Sequence, residues 1–128
     1  DFVLENLTAK ALLAQIESPL DAILVAEDHG LRGFIRTTQN CPCPVDGWSD
    51  TEISTFYVRP NSQGQGIGSA LLTQALNACN APSIWLATNS ENTPAIGFYH
   101  AQGFQTVGLT HFHVEDKAYP NDVLARKL

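Results

Sequence analysis

The stretch from Thr51 to Cys79 constrains this chain more than any other. Residues 51–58 (TEISTFYV) are dense in β-branched and aromatic side chains, the composition of a strand. Arg59 to Gly66 is polar and carries two glycines. From Ile67 to Cys79 the apolar residues fall at 67, 70, 71, 75, 76 and 79, the spacing of an amphipathic helix. A strand, a glycine turn and a helix in immediate succession demand layers, because each element must bury one face against another.

Similar patterns flank it. Residues 6–17 are expected to form a helix, with Thr8 or Asn6 as its N-cap. Residues 22–38 read as a hairpin turning at His29-Gly30, and 39–50, rich in Pro, Cys and Gly, as a loop. Ser83–Ala87 is a buried strand. Asn92–Gln102 is a second helix, with Pro94 in its first turn and Gly103 as its stop. Two strands close the chain, Gln105–Val114 and Val123–Arg126, around a turn at Asp116–Asn121. The expected class is α/β: a mixed, mostly antiparallel sheet flanked by helices. The 128 residues suffice for one domain.

Composition narrows the partners. The chain is 44% hydrophobic and 16% charged, ordinary for a globular protein. Its net charge is −6 with seven Lys and Arg, a poor endowment for holding a phosphate backbone, so nucleic acid is not an expected partner. The same field favours a cationic small molecule or peptide. No apolar run approaches the roughly 20 residues that span a bilayer, and no basic leader opens the chain; no membrane association and a cytoplasmic location are expected. Cys41-Pro42-Cys43 is one residue short of a two-spacer metal motif and has no second pair, so no metal is expected. Cys79, on the apolar helical face, is expected in the core.

The turn Gln63-Gly64-Gln65-Gly66-Ile67-Gly68-Ser69 points to phosphate. Backbone N–H groups at a helix start lack intrahelical partners and point outward together, and the helix dipole adds positive potential. Glycine lets an anion approach the backbone closely. Three ligands compete with an unliganded turn. A nucleotide P-loop needs Gly-Lys, and no lysine occurs between Lys10 and Lys117. A dinucleotide fold wants an acidic residue about 20 positions on, and none occurs from 53 to 90. A coenzyme A pyrophosphate fits best.

These residues resemble the GNAT superfamily of acetyltransferases, whose phosphate loop reads Arg/Gln-x-x-Gly-x-Gly/Ala. Gln63, Gly66 and Gly68 match it, and Phe56-Tyr57-Val58-Arg59-Pro60 looks like the strand that precedes it. Asn92-x-x-Ala95-x-x-x-Tyr99-x-x-x-Gly103-Phe104 looks like the family's second cofactor motif, in the family's order and spacing. Glu5-Asn6-Leu7-Thr8 and the stretch from Gly108 look most like a bacterial subgroup with PaiA-like polyamine and protein acetyltransferases. The resemblance also places a strand and helix of the fold ahead of residue 1, so the sheet is expected without them.

The resemblance implies direct transfer of acetyl from acetyl-CoA to a primary amine. Tyr99 is the implied acid at the leaving thiolate, with an aromatic packing role as the alternative. Glu52, which shares a strand face with Ser54, Phe56 and Val58, is the candidate base or else a solvated carboxylate. The N–H of Phe56 is implied to polarise the thioester, Tyr57 and Val58 to flank the pantetheine arm, and Gln63, Gly64, Gln65, Gly66, Ile67, Gly68 and Ser69 to take the pyrophosphate. Asn92 and Ala95 meet the pantetheine. His111 and His113 line the acceptor site, serve as a base near neutral pH, or are merely solvated, and Trp48 is a lid or an anchor. The acceptor is a small polyamine or other cationic amine, or a peptide; Asp46 and Asp50 around Trp48 suit ammonium groups. A homodimer is compatible with the sequence. The rival class is a coenzyme A-binding sensor without catalysis.

Overall fold

The computed structural model describes residues 20–128, together with the backbone of two strands, Phe2–Val3 (β1) and Leu12–Glu17 (β2). Contacts divide the chain into two units, residues 1–39 with 53–80 and residues 40–52 with 81–128.

In the first unit β1 and β2 are followed by β3 (Asp21–Glu27), β4 (Leu31–Thr38) and β5 (Glu52–Val58), in that order across the sheet. β2 runs antiparallel to β3, from Leu12↔Glu27 to Glu17↔Ala22. β3 pairs β4 through a turn that places His29 at φ 53° and Gly30 at φ 115°. Arg59 N–H donates to Arg32 O at 2.8 Å, while the Thr38 and Ser54 hydroxyls lie 2.6 Å apart near the other end. β4 and β5 are therefore antiparallel.

The expected helix at 6–17 is corrected over its second half. Residues 12–17 form β2; Asn6, Thr8 and the rest of 6–11 lie outside the described residues. Leu12, Leu13 and Ile16 satisfy a helical spacing, yet backbone pairing with β3 decides the outcome, a tertiary effect that outweighs local propensity.

Helix α1 (Ile67–Ala78) packs on β3 and β4 and buries Ile67, Ala70, Leu71, Leu72 and Ala75. Leu24, Ala26, Ile35 and Ile53 are also buried. Gly33 lies close to both the neighbouring strand β5 and helix α1. A Cβ there would stand 2.6 Å from Tyr57 O and 3.3 Å from Leu71 Cδ1, so only glycine fits. Cys79 is the half-buried C-cap of α1 and not a core residue, as the helix closes one residue before it.

The second unit holds β6 (Ser83–Asn89), helix α2 (Thr93–Ala101), β7 (Gln105–Val114) and β8 (Lys117–Lys127). β8 lies between β6 and β7, antiparallel to both. The expected turn at 116–121 is too long: β8 begins at Lys117, and the reversal is Glu115-Asp116, with Glu115 at φ 55°. Pro120 sits within β8, opposite His111; its pairing with β6 starts only at Asn121, so the missing N–H interrupts no ladder there.

Trp85, Val123 and Ala125 form a buried cluster against which Cys41, Cys43, Val45, Trp48, Ala87 and Val107 pack. Glu52, the first residue of β5 and itself part of the second unit, pairs with Trp85 in parallel, and Trp85 N–H donates to Thr51 O at 3.1 Å. Ser49 N–H donates to Ser83 Oγ at 2.9 Å, and its hydroxyl returns a bond to Ser83 O. Among the described residues no helix is long and apolar enough to cross a membrane. The class is that expected: mixed α/β, with mostly antiparallel strands and two α-helices.

Candidate active site

In the first unit the glycine turn opens onto solvent. After β5 a short 3-10 turn, Pro60–Ser62, leads into residues 63–66, all exposed. Gly64 and Gly66 take φ values of 80° and 78°, a left-handed backbone that other residues rarely adopt. Gly66 is the N-cap of α1, so no side chain occupies the first N–H groups of the helix in the manner of a Ser or Asp cap. Gly66 O accepts from Ala70 N–H at 3.0 Å, setting the helix in register at once. A helix start with exposed glycines before it can receive an anion on its backbone.

The turn is anchored from below. Ser62 is fully buried, with its Oγ 3.5 Å from Arg32 Nη1, while Arg32 Nε donates to Asp28 O at 2.8 Å. Gln63 Nε2 donates to Val58 O at 3.2 Å and Gln65 Nε2 to Asn61 O at 3.4 Å. Gln63 therefore stiffens the turn from within. Its amide also occupies one lone pair of Val58 O. Arg32 and Ser62 escaped the sequence reading because only the register of β4 against β5 brings them under the turn.

In the second unit Asn92 caps α2: its Oδ1 accepts from Ala95 N–H at 3.4 Å, which leaves the side-chain NH2 to donate. Asn92, Ala95 and Tyr99 follow at intervals of three and four, one face of one helix. Tyr99 is 8% exposed, its ring edge-on to Phe98 and Phe104, and burial pushes its pKa up to about 12. It is a neutral donor at any physiological pH.

Glu52 lies half-buried at the start of β5. Burial pushes its carboxyl above the usual range, and a hydrogen bond with Cys41 partly offsets this. Burial likewise raises the Cys43 thiol, a Val45 backbone hydrogen bond opposes this, and the charge of Glu52 adds to the rise. Trp85 Nε1 donates to Cys41 O at 2.8 Å. A carboxylate with a raised pKa holds its proton more readily than a solvated one, the property wanted of a base for an ammonium. The Cys-Pro-Cys run posed only a metal question in the sequence; no motif announced its place beside Glu52. Among the described residues no group of three or more His, Cys, Asp or Glu gathers for a metal ion.

The remaining candidates fall to the surface or the core. His111 and His113 are exposed on one face of β7. Asp46 and Asp50 are exposed, whereas Trp48 packs inward on the Trp85 cluster and is an anchor.

The chain belongs to the acetyltransferase (GNAT) family, whose model matches residues 5–104. The peptidyl-lysine N-acetyltransferase YjaB of Salmonella typhimurium is 35% identical over 68 residues, 53% of this chain and 46% of that protein. The N-alpha-acetyltransferase RimI of Mycobacterium tuberculosis is 38% identical over 58 residues, 45% of this chain and 37% of that one. The match thus spans less than half the length of these relatives. NAA60 of Arabidopsis thaliana in complex with acetyl-CoA shares the fold, with a TM-score of 0.69 over 87% of this chain and 78% of that chain at 15% identity.

Proposed function

We propose that this protein transfers acetyl from acetyl-CoA directly to a primary amine, and that residues 1–128 belong to a single acetyltransferase domain. The observation that carries the reading is the exposed turn at Gly64 and Gly66, running straight into the start of α1. A pyrophosphate is the anion such a backbone cradle suits without a lysine.

The chemistry assigns each residue a task. The amine nitrogen attacks the thioester carbonyl, whose electron pair moves to oxygen, with the N–H of Phe56 as the donor to that oxyanion. Gln63 to Ser69 hold the pyrophosphate, and Tyr57, Val58, Asn92 and Ala95 flank the pantetheine. Glu52 receives the proton that the attacking ammonium must lose. Collapse of the tetrahedral centre breaks the C–S bond, and the thiolate leaves against the phenol of Tyr99.

Magnitudes limit what Tyr99 does. A thiol of pKa about 8.5 lies roughly 3.5 units below a phenol at about 12, so complete proton transfer would be uphill by about 5 kcal/mol. Tyr99 therefore donates a hydrogen bond to the thiolate and keeps its proton, which water or buffer supplies later.

For the acceptor, a polyamine or similar small cationic amine fits the net charge of −6 and the resemblance to the polyamine-acetylating subgroup. The inward packing of Trp48 removes an aromatic face from the loop, leaving the exposed Asp46 and Asp50 as ammonium partners. A lysine side chain or peptide N-terminus is the second reading, favoured by the activities named for the two sequence relatives. Assaying acetyl transfer to spermidine, to lysine peptides and to neutral amines separates them. Spermidine turnover that falls with salt and in Asp46→Asn/Asp50→Asn supports the first, peptide turnover alone the second, and acetyl-CoA binding without transfer to any amine would make the protein a sensor.

A further inference from the structure

Glu52 is held by neighbours that the transfer chemistry does not use. Its strand pairs with Trp85 in parallel register, and the Trp85 indole reaches back to Cys41 O at 2.8 Å. Cys41 N–H donates to Asp50 O at 2.8 Å, so both backbone polar groups of Cys41 are tied. Its side chain packs on the Trp85, Val123 and Ala125 cluster and hydrogen-bonds the Glu52 carboxylate. Pro42 then fixes φ immediately after it, which stiffens the tip of the loop.

We propose that Cys41 is a positioning residue: its thiol orients the Glu52 carboxylate, and Trp85 fixes the loop segment that brings the thiol there. A half-buried carboxylate on a strand has several rotamers open to it, and a single donor on a rigid loop selects among them. Cys43, the other titratable group acting on Glu52 from this loop, offers it only repulsion once ionised. The two cysteines therefore act differently, although one proline separates them. A thiol is a weak donor, so the effect is a modest one on orientation and proton affinity. The placement of the carboxylate stands apart from its role; only the kinetic consequence rests on Glu52 being the base proposed above.

The test is the titration of the Glu52 carboxyl, followed by carbon-13 NMR in the full chain. Cys41→Ala removes the donor and is expected to raise the Glu52 pKa by about half a unit or more, while Cys41→Ser, which keeps a donor, stays near wild type. Cys43→Ala is the control and should not raise it. If Cys41→Ala does not fold, S-methylthiolation of Cys41 in a Cys43→Ala/Cys79→Ala background removes the same donor. A Glu52 titration identical in wild type and the Cys41-blocked protein overturns the proposal. Kinetics are read in parallel. The acidic limb of kcat/KM should move upward in Cys41→Ala by the same amount and vanish in Glu52→Gln. A limb that survives Glu52→Gln sinks the assignment of the base, while the NMR comparison still decides the positioning.

Discussion

Tyr99 meets Phe104 edge-on, with ring centroids 5.6 Å apart and planes at 63°. The contact links the end of α2 to the residue just before β7, and Phe104 N–H donates to Tyr99 O at 3.0 Å, so side chain and backbone hold the same junction. Gly103 makes it possible by turning the chain at φ 88°, with Arg126 packed close enough that an added Cβ would lie 3.3 Å from its Nε. The consequence is a phenol fixed in orientation by packing before any ligand arrives.

Tyr99→Phe keeps that packing and removes only the donor. A hydrogen bond to a charged group is worth about 1.5–3 kcal/mol, so turnover is expected to fall about 10- to 100-fold. Coenzyme A affinity and Tm should barely move. Because the phenol stays protonated to about pH 12, wild type should show no basic limb from this residue below that point. Steady-state kinetics across pH with binding calorimetry checks both; unchanged turnover would remove Tyr99 from the mechanism.

Glu52→Gln should separate activity from stability. Burial raises the carboxyl above its ordinary value in the folded state, so folding favours the protonated form. That contribution is fully present below the unfolded value and is lost as pH rises through the folded one. At neutral pH the charge is a burden, and Glu52→Gln is expected to raise Tm slightly while turnover collapses. The gain is small because Glu52 is only half-buried, and it should disappear at acidic pH. Thermal melts at neutral and acidic pH decide; a lower Tm at neutral pH would contradict the sign.

Gly66→Asp places a carboxylate at the N-cap of α1. Asp tolerates a left-handed backbone better than most residues, so the fold should survive at a cost of about 1 kcal/mol. Binding of acetyl-CoA is expected to weaken at least about 100-fold, since the carboxylate takes the N–H groups and repels the pyrophosphate. Gly66→Asn, equal in shape and uncharged, should weaken it much less. Equal losses in the two variants would make the effect steric, and no loss in either would remove the turn from the cofactor site.

Gly33→Ala tests the packing beneath the turn. Its Cβ would stand 2.6 Å from Tyr57 O, a backbone atom that moves only with β5. Overpacking of this kind costs about 1–3 kcal/mol or more, which for a chain of this length lowers Tm by several degrees, roughly 5 °C or more. Calorimetry gives the number. A variant as stable as wild type would mean that β4 and β5 separate more easily than their register implies.

Much of this was legible in the residues themselves. The apolar period from Ile67, the left-handed demand of Gly64 and Gly66, and Asn92-Thr93-Pro94 as cap and first turn are short-range instructions, complete within a few residues of chain. So was the conformation of the glycine turn, because a left-handed backbone depends on which residues lack a Cβ and little else. Three features needed the whole fold. Residues 12–17 carry a pattern that suits a helix or a strand, and the open edge of β3 chose the strand. Lys117-Ala118-Tyr119-Pro120-Asn121 reads as a turn, yet β7 offered it a ladder. Glu52, Cys41 and Trp85 come together only because strand pairing and loop packing bring near what the sequence separates by as many as 44 positions. Local sequence settles local backbone geometry, whereas the neighbours that tune a carboxylate are set by pairing between distant segments, and no short window of sequence contains that choice.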